Sequence, residues 1–255
     1  MARLKPAQFD EHLTLVEHLD ELRSRIIVSG AVLLVAVALC FWQNALLLDI
    51  ANAPLPGDRV PITFGVTEPF ITTVTLSVYA GLLLAMPVIL YQLYAYVLPA
   101  FSPHERRVVL PFMLMVPFLF IGGVVFAYFV VVPAATSFLL NFNADEFNIE
   151  VRAREYYSFF ALTLIAVGVL FQIPVGVLAV TRLGIVTPET LARNRRYAVL
   201  AIAVVAMLLP GTDPVTMLVS MLPLLLLFEF SLILARIFGR PGEPEGEPAG
   251  AGEGA

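Results

Sequence analysis

Apolar and polar positions alternate along this chain on the scale of whole segments. Stretches free of Asp, Glu, Lys and Arg cover residues 26–48, 69–103, 108–144, 156–181 and 197–212, and a sixth over 214–235 is broken once, by Glu229. A helix that crosses a bilayer needs about 20 largely apolar residues, so the pattern predicts an all-α protein with six transmembrane helices. The first stretch fits one span and is too long, and too charged at its front, for a removable signal peptide. The next two each hold one helix plus apolar flanks, with Pro99 and Pro103 closing the second helix and Pro133 the third. Residues 156–181 read as an ordinary fourth span. The fifth and sixth spans read as short, the fifth keeping only about 13–16 residues, so it must thin the bilayer or be shielded in a bundle. Between them Pro210-Gly211-Thr212-Asp213-Pro214 predicts a tight turn.

Composition agrees with a lipid-solvated chain. Of 255 residues, 59% are hydrophobic and 14% charged, and the mean hydropathy is +0.88, against roughly 45–50% apolar and about 25% charged for a soluble domain. This excludes a disordered chain and a secreted disulfide scaffold, and the net charge of −5 argues against nucleic acid as a partner. The single cysteine, Cys40, sits in an apolar run and reads as packing. Six spans put both termini on one side, and that side carries every Lys and Arg except Arg59, Arg152 and Arg154. Cationic loops stay in the cytoplasm, so both ends are expected there. Trp42, Tyr91, Tyr94, Tyr96, Tyr156 and Tyr197 are expected at the interfaces. The implied organisation is a cytoplasmic amphipathic segment over 1–25, a six-helix domain over 26–238 and a disordered cytoplasmic tail over 239–255.

Ionisable residues inside a span are functional suspects, and here Glu229 qualifies, with Gln172 as a neutral companion. No cation is in view to pair with Glu229, which reads as facing the bundle. The three histidines (His12, His18, His104) fall in the cytoplasmic flanks, so neither a metal site nor a nucleophile–base set can be assembled within the membrane, and no phosphate-binding loop is present. Catalysis and a bound cofactor are not expected. Charge gathers instead at two cytoplasmic places. In His12 to Arg25, Leu15, Leu19, Leu22 and Ile26 form an apolar stripe and Glu17, Glu21 and Arg25 share the opposite face. Glu21 and Arg25 stand in the favourable order for a helical surface pair. In Ser102-Pro103-His104-Glu105-Arg106-Arg107, Ser102 and Glu105 have the spacing of a capping box. The other reading of both places is an acidic receptor for a cationic peptide, since arginine prefers planar, bidentate carboxylate partners.

Several ordered motifs carry a resemblance: His18-Leu19-Asp20-Glu21-Leu22-Arg23-Ser24-Arg25, Ala53-Pro54-Leu55, Pro87-Val88-Ile89-Leu90-Tyr91-Gln92, His104-Glu105-Arg106-Arg107, Phe126-Ala127-Tyr128-Phe129, and Gly184-Ile185 followed by Thr187-Pro188. With them, from about His12 to Arg236, the chain resembles the TatC family, the multispanning receptor subunit of the twin-arginine translocase of the cytoplasmic membrane. The resemblance implies binding of the twin-arginine signal peptides of folded cargo, and export driven by the proton-motive force together with TatA-type and TatB-type single-span subunits in a larger, self-associating complex. It places Glu21, Arg23, Glu105 and Tyr96 at signal-peptide binding, and Pro54 and Asp213 in the first and third periplasmic loops at positions tied to activity. It assigns the short fifth helix around Met207 and Leu208, with Gln172 of the fourth, to docking a partner span.

Two positions depart from the commoner family pattern, Gln172 where many relatives carry Glu and Tyr96 where many carry Phe. Glutamine can hydrogen-bond a neighbouring helix but cannot ionise, so interhelical bonding and partner docking both remain open for it. A secondary transporter is the rival reading, argued from proline-interrupted helices and Glu229. An intramembrane enzyme ranks below it.

Overall fold

The computed structural model describes residues 15–57, 59–98, 103–210 and 213–238, with residues 15–17, 103–109 and 111–112 described by their backbone alone. The Ser102 cap, the Glu105 side chain, His12, the Glu17 side chain and the tail over 239–255 expected to be disordered all lie outside what is described. Among the described residues the regular structure is helical, apart from one isolated bridge between Ile62 and Arg152.

Helix α1 (Leu15–Trp42) carries the charged stretch straight into the first span without a break. A short α2 (Asn44–Asn52) follows it, and α3 (Glu68–Val97) returns through the bundle with Pro87 inside it. Helix α4 (Pro103–Phe126) passes through a π turn (Ala127–Val131) into α5 (Val132–Asn141) as one rod. Pro133 was expected to close that helix and does not. The Val132 N–H donates five residues back to the Ala127 carbonyl, the wider ring of a π turn, and the proline, which has no N–H, then takes an early position in α5 where the lack is tolerated.

The fourth span also differs from expectation. It is two helices, α6 (Ala153–Leu170) and α7 (Ile173–Arg182), broken at Phe171 and Gln172. Pro174 cannot donate to the preceding turn, and the Gln172 N–H bonds the Val169 carbonyl at 2.9 Å, three residues back, which tightens the chain at the break. After α8 (Pro188–Arg193), capped by the Thr187 hydroxyl on the Thr190 N–H, come α9 (Arg195–Met207) and α10 (Pro214–Phe238). At 13 residues α9 is short as expected, about 20 Å against a hydrocarbon core of about 30 Å. The sixth span is not short. Helix α10 runs 25 residues, because the charged residues that trimmed the sequence window, Glu229 and Arg236, are carried inside the helix. Among the described residues five helical stretches are long and apolar enough to cross a membrane: His18–Trp42, Glu68–Val97, Met113–Asn141, Ala153–Arg182 and Pro214–Phe238.

Helix α1 packs along α3, where Gly81 lets the Val37 backbone approach so closely that a Cβ would sit 2.7 Å from Val37 Cα. The main core joins α2, α3, the π turn and α6 through Ala51, Leu76, Ala127, Tyr156 and Phe160. A second cluster unites Leu90, Val116, Phe120 and Val175, and a third fixes α9 on α10 through Ile202, Leu224, Phe228 and Leu232. The outward face is equally apolar, with Leu34, Phe118 and Leu222 well exposed, as lipid contact requires.

Candidate functional site

The charged stretch of α1 lies against the last turns of α3, and the two helices assemble one polar cluster at that end of the bundle. One turn separates Glu21 from Arg25, and they form an ion pair in which Arg25 Nε reaches Glu21 Oε1 at 3.1 Å and Nη2 closes on the same oxygen. Both side chains are about three-quarters buried, at 25% and 23% exposed, which sets the pair apart from a solvated surface one. Arg25 also donates to Gln92 Oε1 of α3 at 2.8 Å and toward the Ala95 carbonyl at 3.4 Å. Close by, the His18 ring stacks on Tyr96 with centroids 4.3 Å apart. Beneath the cluster a groove of about 340 Å³ is lined by Leu22, Ile26, Gly30, Leu33, Ile89 and Leu93, with Arg25, Gln92 and Tyr96 at its rim. A cation with an apolar continuation matches that chemistry. Arg23, two positions on from Glu21, is exposed. Glu105 falls in the first turn of α4, eight positions after α3 ends at Val97.

The remaining sequence candidates are scattered. Gln172 sits at the break in the fourth span, 6% exposed, and donates to the Val116 carbonyl of α4 at 3.1 Å, while its own Oε1 accepts nothing. It bonds helix to helix within the bundle. Asp213 caps α10, accepting the Thr216 N–H at 2.8 Å and the Thr216 hydroxyl at 2.5 Å. Pro54 lies just past α2, its carbonyl 3.4 Å from the Thr136 hydroxyl. Met207 and Leu208 end α9 and project outward, 50% and 79% exposed.

Two expectations fail here. Glu229 is not turned into the bundle and does have a cation. It is 48% exposed and pairs with Arg195 at the start of α9 at 3.2 Å, a partner 34 positions away that no local spacing could announce. The strongest argument for a transporter goes with it. Nor is Tyr156 an interfacial belt residue, since it is buried and its hydroxyl donates to the Ala51 carbonyl at 2.6 Å.

That bond belongs to a set the sequence reading missed. Tyr128 donates to the Ile50 carbonyl at 3.0 Å and Tyr157 to Asn52 Oδ1 at 3.0 Å, so three tyrosines gather on the end of α2, two of them on last-turn carbonyls that have no helical partners and the third on the Asn52 side chain. A second missed feature ties the loop before α3 to the start of α6. Arg152 bonds Glu68 at 2.8 Å, lies over the Phe64 ring at 5.5 Å and is flanked by paired backbone bonds between Ile62 and residues 151 and 153. Glu68 and Glu155 beside it push the Arg152 guanidinium's pKa up, holding its charge. Tyrosine at positions 128, 156 and 157 was the one available signal.

Among the described residues no group of three or more His, Cys, Asp or Glu comes together. Residues 17–223 match the family described as Sec-independent protein translocase protein, TatC. The Sec-independent protein translocase protein TatC of Carboxydothermus hydrogenoformans is 35% identical over 240 residues, 93% of this chain and 98% of that protein. Its namesake in Escherichia coli (strain K12) is 34% identical over 229 residues, 88% of each chain. Two solved structures, described as the twin arginine translocase receptor TatC, superpose with a TM-score of 0.74 at 33% identity, covering 86% and 87% of this chain and 99% of each solved chain.

Proposed function

Because this chain belongs to the TatC family of Sec-independent protein translocase proteins, multi-pass membrane proteins that work in transport, we propose that it is the signal-peptide receptor and core subunit of a twin-arginine translocase. The observation that carries the reading is the Glu21 carboxylate, mostly buried and held in a polar cluster directly above an apolar groove. A guanidinium is the cation whose planar fork suits a carboxylate in such a setting, and the groove suits the apolar residues that follow it. Glu105 and Tyr96 join Glu21 at this receptor end, with Arg23 beside them at the entrance. The solved relatives described as twin arginine translocase receptors favour the same reading.

The chain crosses the cytoplasmic membrane six times, α9 being the short fifth crossing, with both termini in the cytoplasm where the Lys and Arg excess belongs. Residues 1–25 form the cytoplasmic entry segment, 26–238 the bundle and 239–255 a cytoplasmic tail. TatA-type and TatB-type spans dock along α9, where the exposed Met207 and Leu208 and the inability of 13 residues to fill a bilayer both support a partner. Gln172 supports the docking from within the bundle, where it ties the break in the fourth span to α4, Pro54 and Asp213 shape the periplasmic face, and the assembled complex exports folded cargo on the proton-motive force.

The test is binding of a labelled twin-arginine peptide to the purified protein, with a Lys-Lys version as control. Exposed pairs contribute about 0–1 kcal/mol and buried ones about 2–5 kcal/mol, so Glu21→Ala and Glu105→Ala are each expected to weaken the arginine peptide roughly tenfold. Equal binding of both peptides by the wild type refutes the receptor reading.

A further inference from the structure

The carboxylate assigned above to a ligand arginine already holds one. Arg25 engages Glu21 through Nε and Nη2, which an ordinary pair one turn apart on a helix explains. Its second set of contacts needs another explanation. Nη1 reaches Gln92 Oε1 at 2.8 Å and Nη2 approaches the Ala95 carbonyl at 3.4 Å, two uncharged acceptors on α3 that owe nothing to Glu21. A guanidinium with five donors can lose one acceptor and keep others. If Glu21 turns to another cation, Arg25 stays hydrogen-bonded to α3 and is not left as a bare charge.

We propose that Arg25 is an internal stand-in for the ligand's arginine: it pairs the buried Glu21 charge in the resting receptor, a peptide guanidinium displaces it, and Gln92 with the Ala95 carbonyl receives it. The inference rests on the receptor reading and adds a specificity-determining residue to it. Exchange of one guanidinium for another leaves the carboxylate as well satisfied as before. A lysine ammonium offers a point charge in place of a two-pronged donor, so it cannot repay what it displaces. Competition with Arg25 is thus a filter against lysine peptides. Of the other charged or titratable groups nearby, Arg23 and Asp20 are exposed and His18 is stacked on Tyr96.

The experiment measures twin-arginine and Lys-Lys peptide binding to the purified full chain and to Arg25→Gln. Freed of its competitor, Glu21 binds the arginine peptide at least threefold more tightly, and the lysine peptide gains more, so the ratio between the two narrows. A variant that binds the arginine peptide more weakly, or with the ratio unchanged, makes Arg25 scaffold and overturns the proposal. A second measurement needs no variant: butanedione labelling of Arg25 in the wild type, read by mass spectrometry, rises when the arginine peptide is added. Unchanged or reduced labelling overturns the exchange. A wild type that prefers arginine and loses the preference in Glu21→Ala, yet fails either arm, leaves the receptor reading standing and removes only the exchange. A wild type with no preference removes both.

Discussion

Gly122 and Gly123 are neighbours in α4 for which the structure demands opposite responses to the same substitution. Gly122 is exposed and a Cβ built on it meets nothing within 4 Å. Gly122→Ala therefore adds only helix propensity, worth up to about 1 kcal/mol. A Cβ on Gly123 would lie 2.8 Å from Phe171 Cγ and 2.9 Å from Gly168 Cα. Backbone cannot rotate aside, and ordinary contact begins near 3.4 Å, so the Gly168 contact alone makes α4 and α6 part by about 0.5 Å. Overpacking of this kind costs about 1–3 kcal/mol. The same separation carries the Gln172–Val116 bond, now 3.1 Å, past the roughly 3.2 Å upper end of ordinary N–H···O bonds. For a chain of this size each kcal/mol moves the melting temperature by roughly 2–4 °C. Thermal unfolding of the detergent-solubilised protein should place Gly123→Ala about 2–12 °C below wild type and Gly122→Ala at or slightly above it. If Gly123→Ala melts no lower than Gly122→Ala, the close crossing of α4 on α6 is wrong.

Tyr156→Phe strands the buried Ala51 carbonyl at about 1–3 kcal/mol, whereas Tyr128→Phe loses a bond in an exposed position; in the same melt Tyr156→Phe should be the more damaging, and the reverse order refutes the capping role. Asp213→Ala removes the cap of α10 for about 1 kcal/mol, while Asp213→Asn keeps an acceptor for the Thr216 N–H and should retain most of the stability, a difference that equal melting of the two variants denies. The Arg195–Glu229 pair is about half exposed and worth at most about 1 kcal/mol, so Glu229→Gln should leave cargo export in cells intact; abolished export would restore an active role for that carboxylate.

The charged stretch of α1 shows how far sequence reaches into the site. Glu21 and Arg25 were readable as a pair because one turn of a helix joins them. The outward fork of Arg25 to Gln92 spans 67 positions, and the groove needs α1 and α3 side by side, so neither was visible. Proline misled in both directions for a local reason. Pro133 looked like a terminus until the π turn absorbed it, and Pro174 marks a break in a stretch that composition alone reads as one uninterrupted span. The sixth span looked short because a charge was counted against it, and the partner of that charge stands on another helix.

Sequence by itself determined the membrane setting, the long apolar helices, the shortness of α9 and the motifs of the family, because each follows from composition or from residues a few positions apart. Only the tertiary structure decided which face of each helix is buried, which of two adjacent glycines is a contact, and which tyrosines close the end of α2 from 105 positions away. The reason is the solvent. In water a buried face is apolar and an exposed one polar, so the pattern names the core, but lipid is as apolar as leucine. Leu34, Phe118 and Leu222 on the outside look no different in the sequence from Leu76, Phe120 and Leu224 within.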